Sequence, residues 1–188
     1  MPNQLIPGSL QSVANGSGKS IAHVFLTVDA IIAVDTSGSM NASDCPGQRR
    51  RYDVACEQLI RLQKELPGKV GVISWSCTVS FCPGGIPTFL QGGTDLVGAL
   101  KFIKPADGTS IKLILISDGE PDYGSEQNAL DIASQFKSKI ETIYIGPEDG
   151  PGRDFLRRLA EATGGKSVNQ DLSQLGQLSQ TMRGLLKT

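Results

Sequence analysis

Three short stretches of the chain combine carboxylates, hydroxyls and glycines. Asp35-Thr36-Ser37-Gly38-Ser39 puts an acid ahead of hydroxyls at alternate positions, and Gly38 lets the backbone turn so that Ser37 and Ser39 face one point. Ser117-Asp118-Gly119-Glu120-Pro121 supplies a second acid, and Gln91-Gly92-Gly93-Thr94-Asp95 offers the Thr94 hydroxyl beside two glycines that permit close backbone approach. Asp35, Ser37, Ser39, Thr94 and Asp118 make a set of hard oxygen donors without Cys or His. Hard donors select Mg2+, Mn2+ or Ca2+ over Zn2+ or Cu2+. Few charges among several hydroxyls suit Mg2+ best, because it demands octahedral geometry and keeps some of its water. These residues do not complete the shell, so a position remains for a carboxylate from outside. Singly, each has a plainer reading: Asp35 as a loop cap, Ser37 and Ser39 as turn residues, Thr94 as a helix N-cap, Asp118-Gly119 as a turn. Their occurrence in this order at one edge of a sheet favours the metal.

The elements that must bring them there are legible as alternating periods. Residues 31–34, 70–73, 111–116 and 140–145 are short apolar runs, with one or two polar interruptions, of the kind buried on both faces of a parallel sheet. Helical stripes lie between them: Ala55, Leu59, Leu62 and Leu66; then Leu96, Leu100 and Ile103; then Ala129, Ala133 and Phe136; then Phe155, Leu159 and Ala162; and last Leu175, Leu178, Met182 and Leu185. Residues 78–82 read as a short edge strand in a hairpin, and Gly164-Gly165 as a helix stop. The order predicts an α/β fold with a doubly wound, mostly parallel central sheet, flanked by helices and carrying one short antiparallel edge strand. Ligands of such sheets bind beyond the carboxyl ends of the strands, where the three stretches fall. Residues 1–20, rich in Pro, Gly, Ser and Asn, read as a mobile tail or irregular wrap, and 21–188 as the domain.

Asp35-Thr36-Ser37-Gly38-Ser39 resembles the Asp-x-Ser-x-Ser motif of the metal-ion-dependent adhesion site in von Willebrand factor A (vWA) domains. Gly93-Thr94-Asp95 is similar to that family's second loop, and Ser117-Asp118-Gly119-Glu120-Pro121 to its third. The resemblance runs from about Val24 to the C-terminal helix. It implies that Ser37, Ser39 and Thr94 bind the ion through hydroxyls, that Asp35 and Asp118 bind it directly or through water, and that a glutamate or aspartate of a partner protein is the last ligand. In some relatives the last helix, here 171–186, shifts on binding. One departure stands out: 21–34 is long for a first strand, and an extra N-terminal strand beside the sheet is the expectation there. Small bacterial cytoplasmic relatives often work beside AAA+ ATPases of the MoxR type or in chelatase-like and stress-resistance clusters, while others have no known role. An AAA+ ATPase-associated complex is one partner the resemblance leaves open, and nothing in the sequence selects among these.

Composition narrows the alternatives. A formal net charge of −1 provides no field for nucleic acid or an anionic membrane. Arg49-Arg50-Arg51, the one basic run, reads as a solvated helix start. The opening MPNQLIPGSL has neither the basic nor the apolar region of a secretory signal, and 24–34, broken by Asp29, is too short to span a bilayer. Cys45, Cys56, Cys77 and Cys82 form no C-x-x-C pair and read as reduced thiols in or near the core, with a cytoplasmic location by elimination. An Mg2+-dependent phosphoryl transferase using Asp35 and Asp118 is the main rival. Against it, haloacid dehalogenase-like phosphatases carry a second aspartate where this chain has Ser37, and the loops hold no Lys or His for acid–base work. Gly16-Ser17-Gly18-Lys19-Ser20 resembles the end of a P-loop, but Val13 stands where its first glycine belongs and no apolar strand precedes it. A scaffold with an empty site would leave two converging carboxylates to repel. The expectation is a binding module rather than an enzyme, with Trp75, Pro121 and Tyr123 as candidates for its binding face.

Overall fold

The apolar runs become strands because their side chains find cover on both sides. The computed structural model describes residues 5–119 and 121–187. Within them, β1 (Ala30–Asp35), β2 (Val70–Trp75), β3 (Val79–Phe81), β4 (Lys112–Ser117), β5 (Ile140–Ile145) and β6 (Ser167–Gln170) form a six-stranded sheet in the order β3-β2-β1-β4-β5-β6. All neighbours are parallel except β2 and β3. The chain therefore winds outward from β1 to β3, returns to lay β4 beside β1, and winds outward again. The winding direction reverses between β1 and β4, where a sheet of this kind opens a crevice.

Alternate residues of each strand serve opposite faces. Ile31, Ala33, Ile73, Leu113 and Leu115 pack under α4 (Leu96–Ile103), α5 (Glu126–Ala133) and α6 (Gly152–Thr163). Ile32, Val34, Val72, Ile114 and Ile116 pack under α3 (Arg51–Glu65) and α7 (Leu178–Lys187). Each Leu or Ile so buried contributes about 1.5–3 kcal/mol over leaving it in water. Most of the stripe residues expected for these helices are buried, but Ala162 is exposed and α6 buries Leu156 and Ala160 instead. Leu66 and Phe136 lie just past the ends of α3 and α5, and Leu175 lies before α7 with its side chain outside the described set. Among the described residues no helix is long and apolar enough to cross a membrane.

The N-terminal expectations need correction. Residues 10–17 form a helix, α1 (Leu10–Ser17), in place of a tail or irregular wrap; Ser9 caps it by accepting from Ser12 N at 3.2 Å, and Gly18 closes it at φ 67. The extra strand looked for within 21–34 is instead a second short helix, α2 (Ile21–Phe25), capped by Ser20. Leu10, Ala14, Val24 and Val28 then form a small apolar cluster of their own. Main-chain bonds anchor the segment: Gln11 N donates to Pro83 O at 2.9 Å and Gly68 N to Gly8 O at 2.9 Å. In β2, Gly71 leaves the space that the Phe25 ring takes, since a Cβ there would stand 3.3 Å from Phe25 Cε2. β6 was not foreseen, because Ser-Val-Asn-Gln carries no apolar run.

Candidate metal centre

The five residues singled out from sequence all lie at the carboxyl ends of β1 and β4 and in the loop that leads into α4. Asp35 ends β1, and Asp118 follows β4 directly; Val34 pairs with Ile116 across the two strands, so the carboxylates flank the point where the winding reverses. Both are buried, Asp35 at 0% exposure and Asp118 at 5%.

Asp35 is held by neutral donors. Its Oδ1 accepts from Ser37 N at 2.8 Å and its Oδ2 from Ser117 Oγ at 2.6 Å. Ser117 Oγ in turn accepts from Gly119 N at 2.8 Å, so one hydroxyl ties the β4 loop to the β1 acid. Burial first, and then the Asp118 carboxylate, push the Asp35 carboxyl up to about 6, against the hydrogen bonds from Ser117 and Ser37. Ser37 is buried and Ser39 is exposed, with their Oγ atoms 3.1 Å apart, so the hydroxyl pair runs from the interior to the mouth. Gly38 makes this turn at ordinary backbone angles, and its use is its N–H, which donates to Gly92 O at 3.1 Å.

The third loop is stitched to the first two. Gln91 N donates to Thr36 O at 3.0 Å, and Gln91 and Gly92 take positive φ of 58° and 92° to reverse the chain there. Thr94 N donates to Asp122 Oδ1 at 2.8 Å while Asp122 N donates back to Thr94 O at 3.2 Å. The N-cap of α4 is Asp95, whose carboxylate accepts from Gly98 N at 2.8 Å, so the Thr94 hydroxyl is not spent on capping. Gly93 is where the Asp122 carboxylate lies closest; a Cβ there would stand 2.7 Å from Oδ1.

Sequence reasoning missed Arg51. It is buried, not solvated: its Nη1 donates to Asp118 Oδ2 at 3.1 Å and its Nε to both oxygens of Asp44 at 3.0 and 3.1 Å, with Nη2 also on Asp44. The partner lies 67 residues away in sequence, so only the fold reveals the pair. Trp75, a candidate for the binding face, is buried with its indole N–H unpaired, whereas Tyr123 is fully exposed. Glu120 lies outside the described residues. Cys45 and Cys82 are buried, Cys56 is half-buried and Cys77 is exposed, all as free thiols.

Among the described residues no three of His, Cys, Asp and Glu come together as a metal cluster. An ion here would therefore depend on hydroxyls beside the two acids, and the residues fit one of the hard kind: two buried carboxylates at one crevice, one of them already neighboured by a cationic side chain.

No protein-family model matches the chain, and no curated protein matches it in sequence. Solved structures do resemble it. An aerotolerance-related membrane protein from Bacteroides fragilis superposes with a TM-score of 0.62 at 14% identity, over 85% of this chain and 98% of that one. BatB from Bacteroides thetaiotaomicron does so with a TM-score of 0.60 at 20% identity, over 86% and 100%. This chain has a vWA-like fold. A mutant of the PilB minor pilin from Streptococcus sanguinis also aligns, with a TM-score of 0.64 at 12% identity over 86% of this chain and 61% of the pilin. At such identities the likeness is one of fold. The vWA-like sheet accounts for the six strands with a single antiparallel edge and for the crevice between β1 and β4.

Proposed function

We propose that this vWA-like domain is a metal-dependent protein-interaction module. In this reading Asp35, Ser37, Ser39, Thr94 and Asp118 hold one Mg2+, with Mn2+ or Ca2+ as alternatives, and an Asp or Glu of a partner protein completes the shell. The observation that carries it is the pairing of two buried carboxylates across the switch point, with Asp35 pushed toward neutrality among neutral donors. Arg51 answers Asp118, but Asp35 meets only neutral donors, and acids are seldom buried this way without a counter-charge.

When bound, the ion supplies positive charge and a coordination position open to a carboxylate. The chain does the rest. Ser117 and the Ser37 backbone orient Asp35, Asp122 fixes the Thr94 backbone, and exposed Ser39 marks the side from which a partner approaches. Exposed Tyr123 and half-buried Pro121, on the loop that follows Asp118, would meet that partner beside the ion. We assign the site to binding rather than catalysis. The resemblance to small bacterial vWA proteins favours a partner in an AAA+ ATPase-associated complex, and free thiols suit the reducing cytoplasm.

The test is calorimetric titration of Mg2+, Mn2+ and Ca2+ into chelator-stripped protein, beside Asp35→Ala. One saturable site, lost in the variant, is the expected result. Wild-type protein that takes up none of the three ions would overturn the assignment.

A further inference from the structure

Arg51 opens α3, and its backbone N–H donates to Ala42 O at 3.1 Å, which ties the start of the helix to the segment that follows β1. Its neighbours in the basic run pair with surface acids, Arg49 with Glu57 and Arg50 with Asp53. Arg51 alone is taken inside, at 8% exposure, and a buried guanidinium persists only where acids answer it. Its fork is divided. Nε and Nη2 engage Asp44, a carboxylate one-third exposed, and Nη1 lies on Asp118 Oδ2 at 3.1 Å. Asp44 supplies one full negative charge, enough to keep the guanidinium in place by itself. The arm on Asp118 therefore rests on an atom of the crevice without being needed to hold Arg51.

Resting on the metal reading of this crevice, we propose that Arg51 is a built-in competitor for the ion: it occupies Asp118 in the metal-free protein, sets how tightly a divalent cation binds, and yields Asp118 to the cation while Asp44 retains it. Formal charges show why a divalent ion is the match. Asp35, Asp44 and Asp118 carry three negative charges against the one positive charge of Arg51. The two that remain are cancelled by one divalent cation and not by a monovalent one. Without Arg51 the same pocket would attract cations more strongly, and the metal would be harder to remove.

The experiment is calorimetric Mg2+ titration of chelator-stripped wild type, Arg51→Gln, Asp44→Asn and Asp35→Ala, with thermal unfolding recorded for each with and without the ion. Arg51→Gln is expected to bind Mg2+ at least about tenfold more tightly, because a positive charge at short range is removed. Its melting temperature should also rise more on adding Mg2+ than that of wild type. Asp44→Asn leaves the guanidinium to Asp118 alone and should weaken binding by about threefold or more. Equal or weaker binding in Arg51→Gln, with wild-type binding intact and lost in Asp35→Ala, overturns the competitor role and spares the metal site. No Mg2+ uptake by wild type overturns both. Should Arg51→Gln fail to fold, Asp44→Asn decides, and unchanged affinity there overturns the proposal.

Discussion

Replacing Asp35 with Asn should stabilise the metal-free protein and abolish its stabilisation by metal, so that the order of the two melting temperatures reverses with the ion. The magnitude follows from the carboxyl. Its rise from 3.8 to about 6 inside the fold corresponds to roughly 3 kcal/mol, at about 1.36 kcal/mol per unit. Because the folded value lies above the unfolded one, the stability that neutral Asp35 contributes is whole below about pH 4 and is lost as pH rises through about 6. Metal-free wild type therefore loses roughly 3 kcal/mol across that window, and the variant does not. Asn keeps an oxygen for Ser37 N and turns an amide toward Ser117 Oγ, which already accepts from Gly119 N. That poorer fit returns about 1 kcal/mol. The net gain of about 2 kcal/mol raises the melting temperature by roughly 4–8 °C for a chain of this size. The assay is thermal unfolding by circular dichroism in chelator, at about pH 4 and about pH 8, repeated at the higher pH with excess Mg2+. In chelator the variant should melt higher at the upper pH and level with wild type or slightly lower at the acid end. With Mg2+ only wild type should rise. A variant that melts at or below wild type in chelator near pH 8 would refute the reasoning, since Asp35 would then carry no penalty for ionising.

Two further outcomes are expected. Gly93→Ala drives a methyl toward Asp122 Oδ1, 2.7 Å from the added Cβ, and so disturbs the acid that holds Thr94 N. Mg2+ affinity by calorimetry should fall by about tenfold while far-ultraviolet circular dichroism stays unchanged. Leu10→Ala empties the middle of the cluster formed with Ala14, Val24 and Val28. It should cost about 3 kcal/mol, seen as a melting temperature roughly 6–12 °C lower with metal affinity intact; no loss would mean the N-terminal helices are not part of the folded unit.

Most of the sheet could be read in advance because four of its strands are largely apolar runs with one or two polar interruptions. The run at 140–145 became β5 without adjustment, and 31–34 became β1 with one residue added at each end. The positions of the loops in the candidate site were legible for a different reason. Asp35, Thr94 and Asp118 each sit at the border of an apolar element, so placing the strands places the acids. What escaped was set by contacts distant in sequence. Arg51 looks like any basic residue at a helix start until Asp118 arrives beside it. Residues 10–17 have only Leu10, Val13 and Ala14 to signal burial among polar residues and glycine, although Ser9 and Ser20 were usable capping signals. β6 exists because β5 offers a bare edge to Ser167–Gln170, and a four-residue polar segment has no period to announce it.

The two ends of the sheet bear on how any second protein can attach. β3 has three residues and β6 four, so each outer border exposes only a brief row of main-chain donors and acceptors. Borders this short offer little template for strand addition, the route by which many domains capture extended peptides and by which damaged ones polymerise. Under the proposed interaction role, recognition would then fall to side-chain chemistry at the loop end of the molecule rather than to backbone pairing along the flanks. The same geometry guards the chain against aggregating edge to edge as its concentration rises.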